Sequence, residues 1–480
     1  MQALTGYVRG LDPHLPRAVW LVQAGGVVNS LGNGIVFPFA VIYLHNVRGI
    51  SFADAGLALA IGGAAALAAG LVAGTLVDRV GGRNTLVLGL LLQLVAFALF
   101  PLIREPWHAY SLFALDGVGA ACFWPGQSTL LSRLTPPEAR HSAFALQRVS
   151  MNLGVGLGAL IGGLIATTAD PSSFTTLFLI DAATFLFFAT ILVAFVREPP
   201  VSDTQDEEPG SYRAVLRDRN FLAFIGLNVL FVSVGYEVFA LLPPFAKNYA
   251  GVDERWVGFI WLANTLLIVL IQLPVAKALE GRRRMAALAL MNVLWATAAL
   301  IVLAGGHWLT GTSAAIVFII AILVFGLGET LQGPTQAPLV VDLAPERLRG
   351  RYFALSAMSW SAGAILGPAI GGPLLGWHPL AVWPLAAVVC LFSAAGCLAL
   401  ERRLPERVRR TPAPEPVTLT PLAPPPGGLD EIASVPPGRV ARPDAASSVA
   451  PVPSGTRAPC VLASERASHP GDEHYPAKPS

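Results

Sequence analysis

GVGAACFWPGQSTLLSRLTPPEARHSAFALQRVSMNLGVGLGALIGG, residues 117–163, is answered 209 positions later by GLGETLQGPTQAPLVVDLAPERLRGRYFALSAMSWSAGAILGPAIGG, residues 326–372, without a gap. Gly117 and Gly119 fall on Gly326 and Gly328, and Pro125, Gln127, Pro136 and Arg140 fall on Pro334, Gln336, Pro345 and Arg349. Phe144-Ala145-Leu146 falls on Phe353-Ala354-Leu355, while Gly154, Gly158, Gly162 and Gly163 fall on Gly363, Gly367, Gly371 and Gly372. A shared apolar bias would match Leu with Leu, but not Pro, Gln and Arg in register as well. One unit therefore occurs twice in the same order, and each copy is far too long for a solenoid repeat. Duplicated halves in an oily chain point to a membrane protein whose halves are related by an axis along the membrane normal.

Composition agrees. Hydrophobic residues make up 54% of the 480-residue chain and charged residues 13%, with a mean hydropathy of +0.61; a soluble protein carries roughly 25% charged residues. The charges cluster in short runs between apolar stretches of about 20 residues or more, enough to cross a hydrocarbon core of about 30 Å. A β-barrel would need alternating segments of about ten residues. The expected class is an all-α polytopic membrane protein. A net charge of +2 gives no reason to expect a nucleic-acid partner, and the four cysteines, at 122, 390, 397 and 460, lack the spacing of a metal site or a disulfide framework. No phosphate-binding loop occurs and the only lysines are 247, 277 and 478, against ATP-driven pumping. No Ser/His/Asp or metal-ligand cluster is visible, so neither an enzyme nor a cofactor is expected. The first apolar run, from Ala18, is too long for a cleaved signal peptide and serves as a first span.

Twelve spans are expected, roughly 18–44, 52–77, 84–103, 108–132, 142–167, 174–196, 220–246, 255–278, 285–304, 312–340, 351–376 and 380–400. Arginines crowd one side. Arg9, Arg17, Arg79, Arg83, Arg133, Arg140, Arg197, Arg213, Arg217, Arg219, Arg282, Arg283, Arg284, Arg347, Arg349, Arg351, Arg402 and Arg403 lie on even-numbered connections or at the termini. The odd connections hold little beyond Arg48, Arg104, Lys247 and Arg255. The positive-inside rule then places both ends in the cytoplasm. This gives a cytoplasmic N-terminus over 1–17, six-helix bundles over 18–196 and 220–403, a linker over 197–219 and a Pro-rich, disordered cytoplasmic tail over 404–480. Abundant Ala, Gly, Pro and Arg with few Lys suggest a GC-rich bacterial genome, hence a bacterial cell membrane.

Between spans 2 and 3 the chain reads Gly74-Thr-Leu-Val-Asp78-Arg79-Val-Gly81-Gly82-Arg83. This resembles the signature loop of the major facilitator superfamily, except that Gly82 stands where an arginine is common. The resemblance implies two pseudo-symmetric six-helix bundles, spans 1, 4, 7 and 10 lining a central cavity, and Asp78 helping to hold the halves together near the start of span 11. The second half carries an altered copy in which Gly281 and Arg283 replace Gly81 and Arg83 but Ala278 replaces Asp78. The glycines of spans 5 and 11, at steps of four, share one helical face and let another backbone come close. They resemble the span-5 motif of proton-coupled drug exporters of the superfamily, although Ala159 stands where that motif has proline and the proline is instead Pro368 of span 11. Arg140 and Arg349, at helix starts after spans 4 and 10, resemble the family's paired inner-gate loops.

An ionisable side chain deep in lipid costs at least ~2.5 kcal/mol, so each is a functional candidate. Asp116 and Glu329 rank first for proton coupling or cation binding, then Glu237, then Asp181 of span 6. Span 1 adds Gln23, Asn29 and Asn33, and Gln127 and Gln336 repeat beside Pro125 and Pro334. No basic residue lies inside spans 1, 4, 7 or 10 to pair with the acids. A carboxyl partly withdrawn from water can take up and release a proton in each cycle. Phe37, Phe39, Trp124, Tyr236, Trp261, Phe325 and Trp360 are candidates for an apolar, cation-tolerant wall. The expected function is alternating-access secondary transport, exporting amphipathic or cationic small molecules in exchange for protons, by a chain acting as a monomer in the lipid bilayer. Uptake of a metabolite on the same fold is the alternative, and a non-transporting sensor or assembly partner the third.

Overall fold

The computed structural model describes residues 15–199 and 212–411. The expected N-terminus over 1–14, the centre of the linker and the tail beyond residue 411 lie outside the described residues. Twelve long helices follow one another: α1 (Arg17–Val47), α2 (Phe52–Val80), α3 (Gly82–Leu102), α4 (Pro106–Leu134), α5 (Arg140–Ile165), α6 (Pro171–Phe195), α7 (Arg219–Asn248), α8 (Glu254–Ala278), α9 (Arg284–Trp308), α10 (Gly311–Leu343), α11 (Arg349–Trp377) and α12 (Val382–Glu401). They match spans 1 to 12 in order, and no strand occurs among the described residues. Eleven are long and apolar enough to cross a membrane. The remaining one, α4, has the length, at 29 residues, but its apolar run is interrupted by Asp116, Gln127 and Arg133.

Prolines shape the two helices that begin the halves. In α1 the α-helix gives way to a tight 3-10 turn at Phe37–Phe39 and to wide π-turns at Tyr43–Val47. In α7 the order is reversed, π-turns over Phe231–Tyr236 preceding a 3-10 segment, Glu237–Leu241. Pro38, Pro243 and Pro244 lack the amide hydrogen and push on the carbonyl four residues back, so regular i to i−4 bonding fails there.

Each half packs through the glycines the sequence repeats. In the first half, a Cβ on Gly154 would strike Val27 and Ser30 of α1, one on Gly158 the backbone of Leu31 and Gly34, and one on Gly162 Ile35 and Phe39. In the second, Gly363, Gly367 and Gly371 stand in the same relation to Val232, Ser233, Glu237 and Leu241 of α7. So α5 lies on α1 as α11 lies on α7, at distances only glycine allows.

The next glycine of each motif faces the other half. Gly163 abuts Gly258 of α8, and Gly372 abuts Gly56 of α2. One seam continues with Gly156 on Thr265, the other with Gly63 on Ala364 and Ile365. Steps of seven keep a residue on the same helix face, and Gly56, Gly63 and Gly70 are seven apart. Yet a Cβ on Gly70, or on Gly74 one turn further, meets nothing within 4 Å. On the partner helices Val149 and Met358, seven residues before Gly156 and Ile365, are 48% and 44% exposed. The halves thus meet at the end formed by residues 47–52 and 248–254 and diverge toward the arginine-rich end. That is an opening between two bundles.

At the arginine-rich end each bundle is tied internally. The turns after α2 and after α8 depend on Gly81 and Gly281, whose φ values of 87° and 70° a side chain would disfavour. Beyond α12 the chain differs from expectation: residues 404–411, read as the start of the tail, are folded. Leu404 and Val408 are buried one turn apart, and the Thr411 amide donates to the Arg282 carbonyl at 2.9 Å. Leu404 just before the short helix Glu406–Arg409, and Val408 within it, are the apolar residues that pin it down.

Candidate functional site

The second half carries its two candidate acids on α7 and α10. The π-to-3-10 junction of α7 carries Tyr236 and Glu237 side by side. Glu237 fills the space a side chain on Gly367 would need, so α11 backs it. Glu329, near the middle of α10, accepts from Asn264 Nδ2 of α8 at 3.4 Å. Asn264 itself packs where Gly326 lacks a side chain. Tyr236 belongs to an aromatic cluster, with ring centroids 6.2 Å from Trp295, 5.9 Å from Phe325 and 5.6 Å from Trp360. Trp295 donates its indole N–H to the Phe325 carbonyl at 3.0 Å, fixing that wall.

Into this group reaches a residue that the sequence reading passed over. Arg148 of α5 belongs to the first half and is exposed. Its Nη2 lies 3.4 Å, and its Cζ and Nη1 3.8 Å, from where a Cβ on Gly333 of α10 would sit. The guanidinium thus lies across a bare stretch of α10 backbone, one turn from Glu329 and within electrostatic reach of Glu329 and Tyr236. Spans 1, 4, 7 and 10 hold no arginine or lysine, whereas Arg148 comes from span 5. The usable signal was its place eight residues inside an apolar helix, about 12 Å from its start at 1.5 Å per residue.

The acids of the first half are arranged differently. Asp116 accepts from Gln93 Nε2 of α3 at 2.9 Å and lies within electrostatic reach of Asp181. Asp181, ranked last by sequence, is fully buried. Its Oδ1 lies 3.3 Å from the Thr184 hydroxyl and occupies the space beside Gly32 of α1, while Oδ2 has no protein partner. The hydrogen bonds of Asp116 and Asp181 thus stay inside the first bundle. Nearby on α1, Asn29 is buried with Nδ2 unpartnered, Asn33 is half-buried, and Gln23 donates to the Ala143 carbonyl at 2.9 Å.

The repeated glutamines diverge too. Gln336 donates to Asn228 Oδ1 at 2.8 Å, and Asn228 donates to the Ser359 hydroxyl at 2.6 Å, a buried chain joining α10, α7 and α11. Gln127 faces Gly26 of α1, its Nε2 3.2 Å from where a Cβ would be. Of the other candidate aromatics, Phe37 meets Trp261 edge-on across the halves at 5.5 Å, Phe39 is buried beside Gly162, and Trp124 is 51% exposed.

The two ends hold different chemistry. At the closed end Asn46 and Asn248 exchange amide hydrogen bonds at 2.6 and 3.2 Å, and Glu254, paired with Lys247 at 2.9 Å, accepts the Thr168 amide of the first half at 2.9 Å. At the open end the candidate motif residues stay within their own bundles. Glu198 accepts from the Gly82 and Arg83 amides and from Arg133 at 3.0, 2.7 and 2.6 Å, and the Arg83 side chain donates to the Leu192 and Val193 carbonyls. The copy uses Arg283 on Glu401, at 2.7 and 2.5 Å. Asp78 and Arg79 are exposed and form no hydrogen bond or ion pair among the described residues, and no side-chain atom lies near Gly74. Arg140 bonds the Ser132 carbonyl and Arg349 approaches Glu346, both within one bundle.

The family model of the Major Facilitator Superfamily matches residues 24–290 and 257–442. An uncharacterized MFS-type transporter of Bacillus subtilis (strain 168), YttB, is 26% identical over 395 residues, covering 81% of this chain and 96% of that protein. The multidrug resistance protein MdtH of Yersinia enterocolitica (serotype O:8 / biotype 1B) is 27% identical over 375 residues, covering 75% of this chain and 90% of the relative. Among solved structures, the nucleoside transporter NupG has a TM-score of 0.68 at 12% identity, covering 80% of this chain and 100% of its own. A POT family transporter in complex with 5-aminolevulinic acid has a TM-score of 0.67 at 14% identity, covering 81% and 96%. These two likenesses concern the fold.

Proposed function

The chain belongs to the Major Facilitator Superfamily, and from that premise we propose a proton-coupled exporter of amphipathic or cationic small molecules. It works by alternating access, as a monomer, in a bacterial cell membrane. The arginine-rich end is cytoplasmic by the positive-inside rule, so the opening between the bundles faces the cytoplasm and the Asn46–Asn248 end faces outward. Cargo enters that opening, the bundles rock about the glycine seams, and the outer end parts.

One observation carries this proposal: Arg148 of one bundle lies across Gly333 of the other, one helical turn from Glu329, where the seams open. A carboxyl so placed feels the approach of the second bundle. Losing its proton favours cargo cation and Arg148; gaining one releases both. Exchange at one group makes proton and cargo alternate, which is what antiport requires. Asp116 and Asp181 can hold a second proton between them inside the first bundle. The likeness to multidrug resistance proteins named MdtH supports export.

Everted vesicles containing the full chain test it. A pH gradient followed with an acridine dye should collapse when ethidium or another amphipathic cation is added, and Glu329→Gln should abolish the response, with Asp116→Asn weakening it. Failure of every cation in a broad panel to move protons would defeat antiport. Arg148 supplies the basic group an importer of an anionic metabolite would use, so uptake is the second reading. Inward accumulation driven by an imposed proton gradient in right-side-out vesicles would select it.

A further inference from the structure

We propose that Arg148 is a specificity-determining residue and that the cargo carries an acidic group, an anionic or zwitterionic amphipath. This rests on the transport reading above and names its substrate class. A lone guanidinium inside an apolar helix is retained only where water, a partner or a ligand meets it. Arg148 has no hydrogen bond or ion pair among the described residues, although Glu329 lies one turn from the glycine it covers. Because Gly333 has no side chain, the guanidinium lies along backbone and keeps its N–H edges free. Such a fork matches a carboxylate or phosphate oxygen pair geometrically. Beside it, the half-buried rings of Tyr236 and Trp360, backed by the buried Trp295 and Phe325, give a flat apolar body a surface to lie against. A cation on the same cargo would find Glu329. The internal repeat sharpens the point: Arg148 corresponds to Ala357 and Glu329 to Ala120, so each half contributes one charge that its copy lacks.

The rival is a latch, in which Arg148 only positions the two bundles for closure. Equilibrium dialysis on the full-length protein in detergent separates the two. The probes are norfloxacin, N-acetyltryptophan and dodecanoate, each against its own ethyl ester, with ethidium as a cation lacking an acid. At least one acid should bind tenfold or more tighter than its ester. Arg148→Gln should erase that preference without weakening ester or ethidium binding, and Arg148→Lys should retain part of it. Gly333→Leu, which keeps the arginine but crowds the guanidinium, should reduce the preference too, and carries the test if Arg148→Gln does not fold. If no acid is preferred over its ester, or if Arg148→Gln weakens all ligands alike, the proposal falls. The assay needs no proton gradient, so an acid preference without proton exchange would remove the coupling and leave this assignment standing.

Discussion

The two halves of this chain keep the same contacts where backbone meets backbone and different chemistry where side chains meet water or cargo. Gly158 touches α1 as Gly367 touches α7, and Gly163 reaches Gly258 as Gly372 reaches Gly56. The polar positions have parted: Asp116 corresponds to Phe325, Glu329 to Ala120 and Arg148 to Ala357. A close helix crossing tolerates no added atom, so both copies remain glycine. A charge is useful only where it meets a proton, a cargo or an opposite charge, so one of each suffices. On the proposed alternating-access mechanism, rocking needs two matching hinges but a single site.

If the packing is symmetric, Gly158→Leu and Gly367→Leu should do equal damage, and this is the largest effect expected. A new side chain at either would run into main chain, Leu31 and Gly34 in one case, Ser233 in the other. Overpacking costs typically 1–3 kcal/mol even when neighbours can shift, and these cannot. Yields of monodisperse protein should fall about tenfold or more for each. A well-folded, active Gly158→Leu beside a misfolded Gly367→Leu would break the equivalence.

The seam glycines sharpen it. Gly163→Val and Gly372→Val add bulk between bundles, not inside one, so each bundle should fold normally. The closed end would be pushed apart, and about 1.4 kcal/mol of such pressure shifts the balance of states tenfold. Spin labels at residues 70 and 358, on the diverging faces of α2 and α11, should report a shorter separation in both variants. Unchanged separations would mean that the seams do not set the resting state.

The fold was legible because it rests on these repeated, geometry-limited residues: the run 117–163 and its copy contain Gly154, Gly158, Gly162 and Gly163 with their partners. Span boundaries came from apolar length, which hydrocarbon thickness dictates. The site was less legible. Which way an acid points depends on neighbours, and Asp116, on a span expected to face the centre, turns to Gln93 instead. Arg148 was hidden by its place on span 5, a helix of the seam and not one of the four spans that the resemblance sets around the centre. Nor did the sequence disclose the closed end, because its pairs recur at an offset of 202, not 209, and so fall out of the long register: Asn46 with Asn248, Gly56 with Gly258.

That shorter offset yields the smallest prediction. Asn46 and Asn248 are the same residue in corresponding places, and they bind each other across the approximate two-fold axis, each amide donating to the other's oxygen. A self-complementary contact of this kind is what a two-fold relation produces, and it must break whenever the outer end opens. A hydrogen bond at a partly wet surface is worth about 0.5–1.5 kcal/mol net, so Asn46→Ala or Asn248→Ala should favour the outward-open state only severalfold. Because both partners serve one contact, the double variant should do little more than either single one. Asn46→Cys with Asn248→Cys, joined by a short bifunctional thiol reagent, should hold the outer end shut and stop transport until the link is cleaved. Additive effects of the two alanines, or transport that continues through the cross-link, would show that the halves part elsewhere.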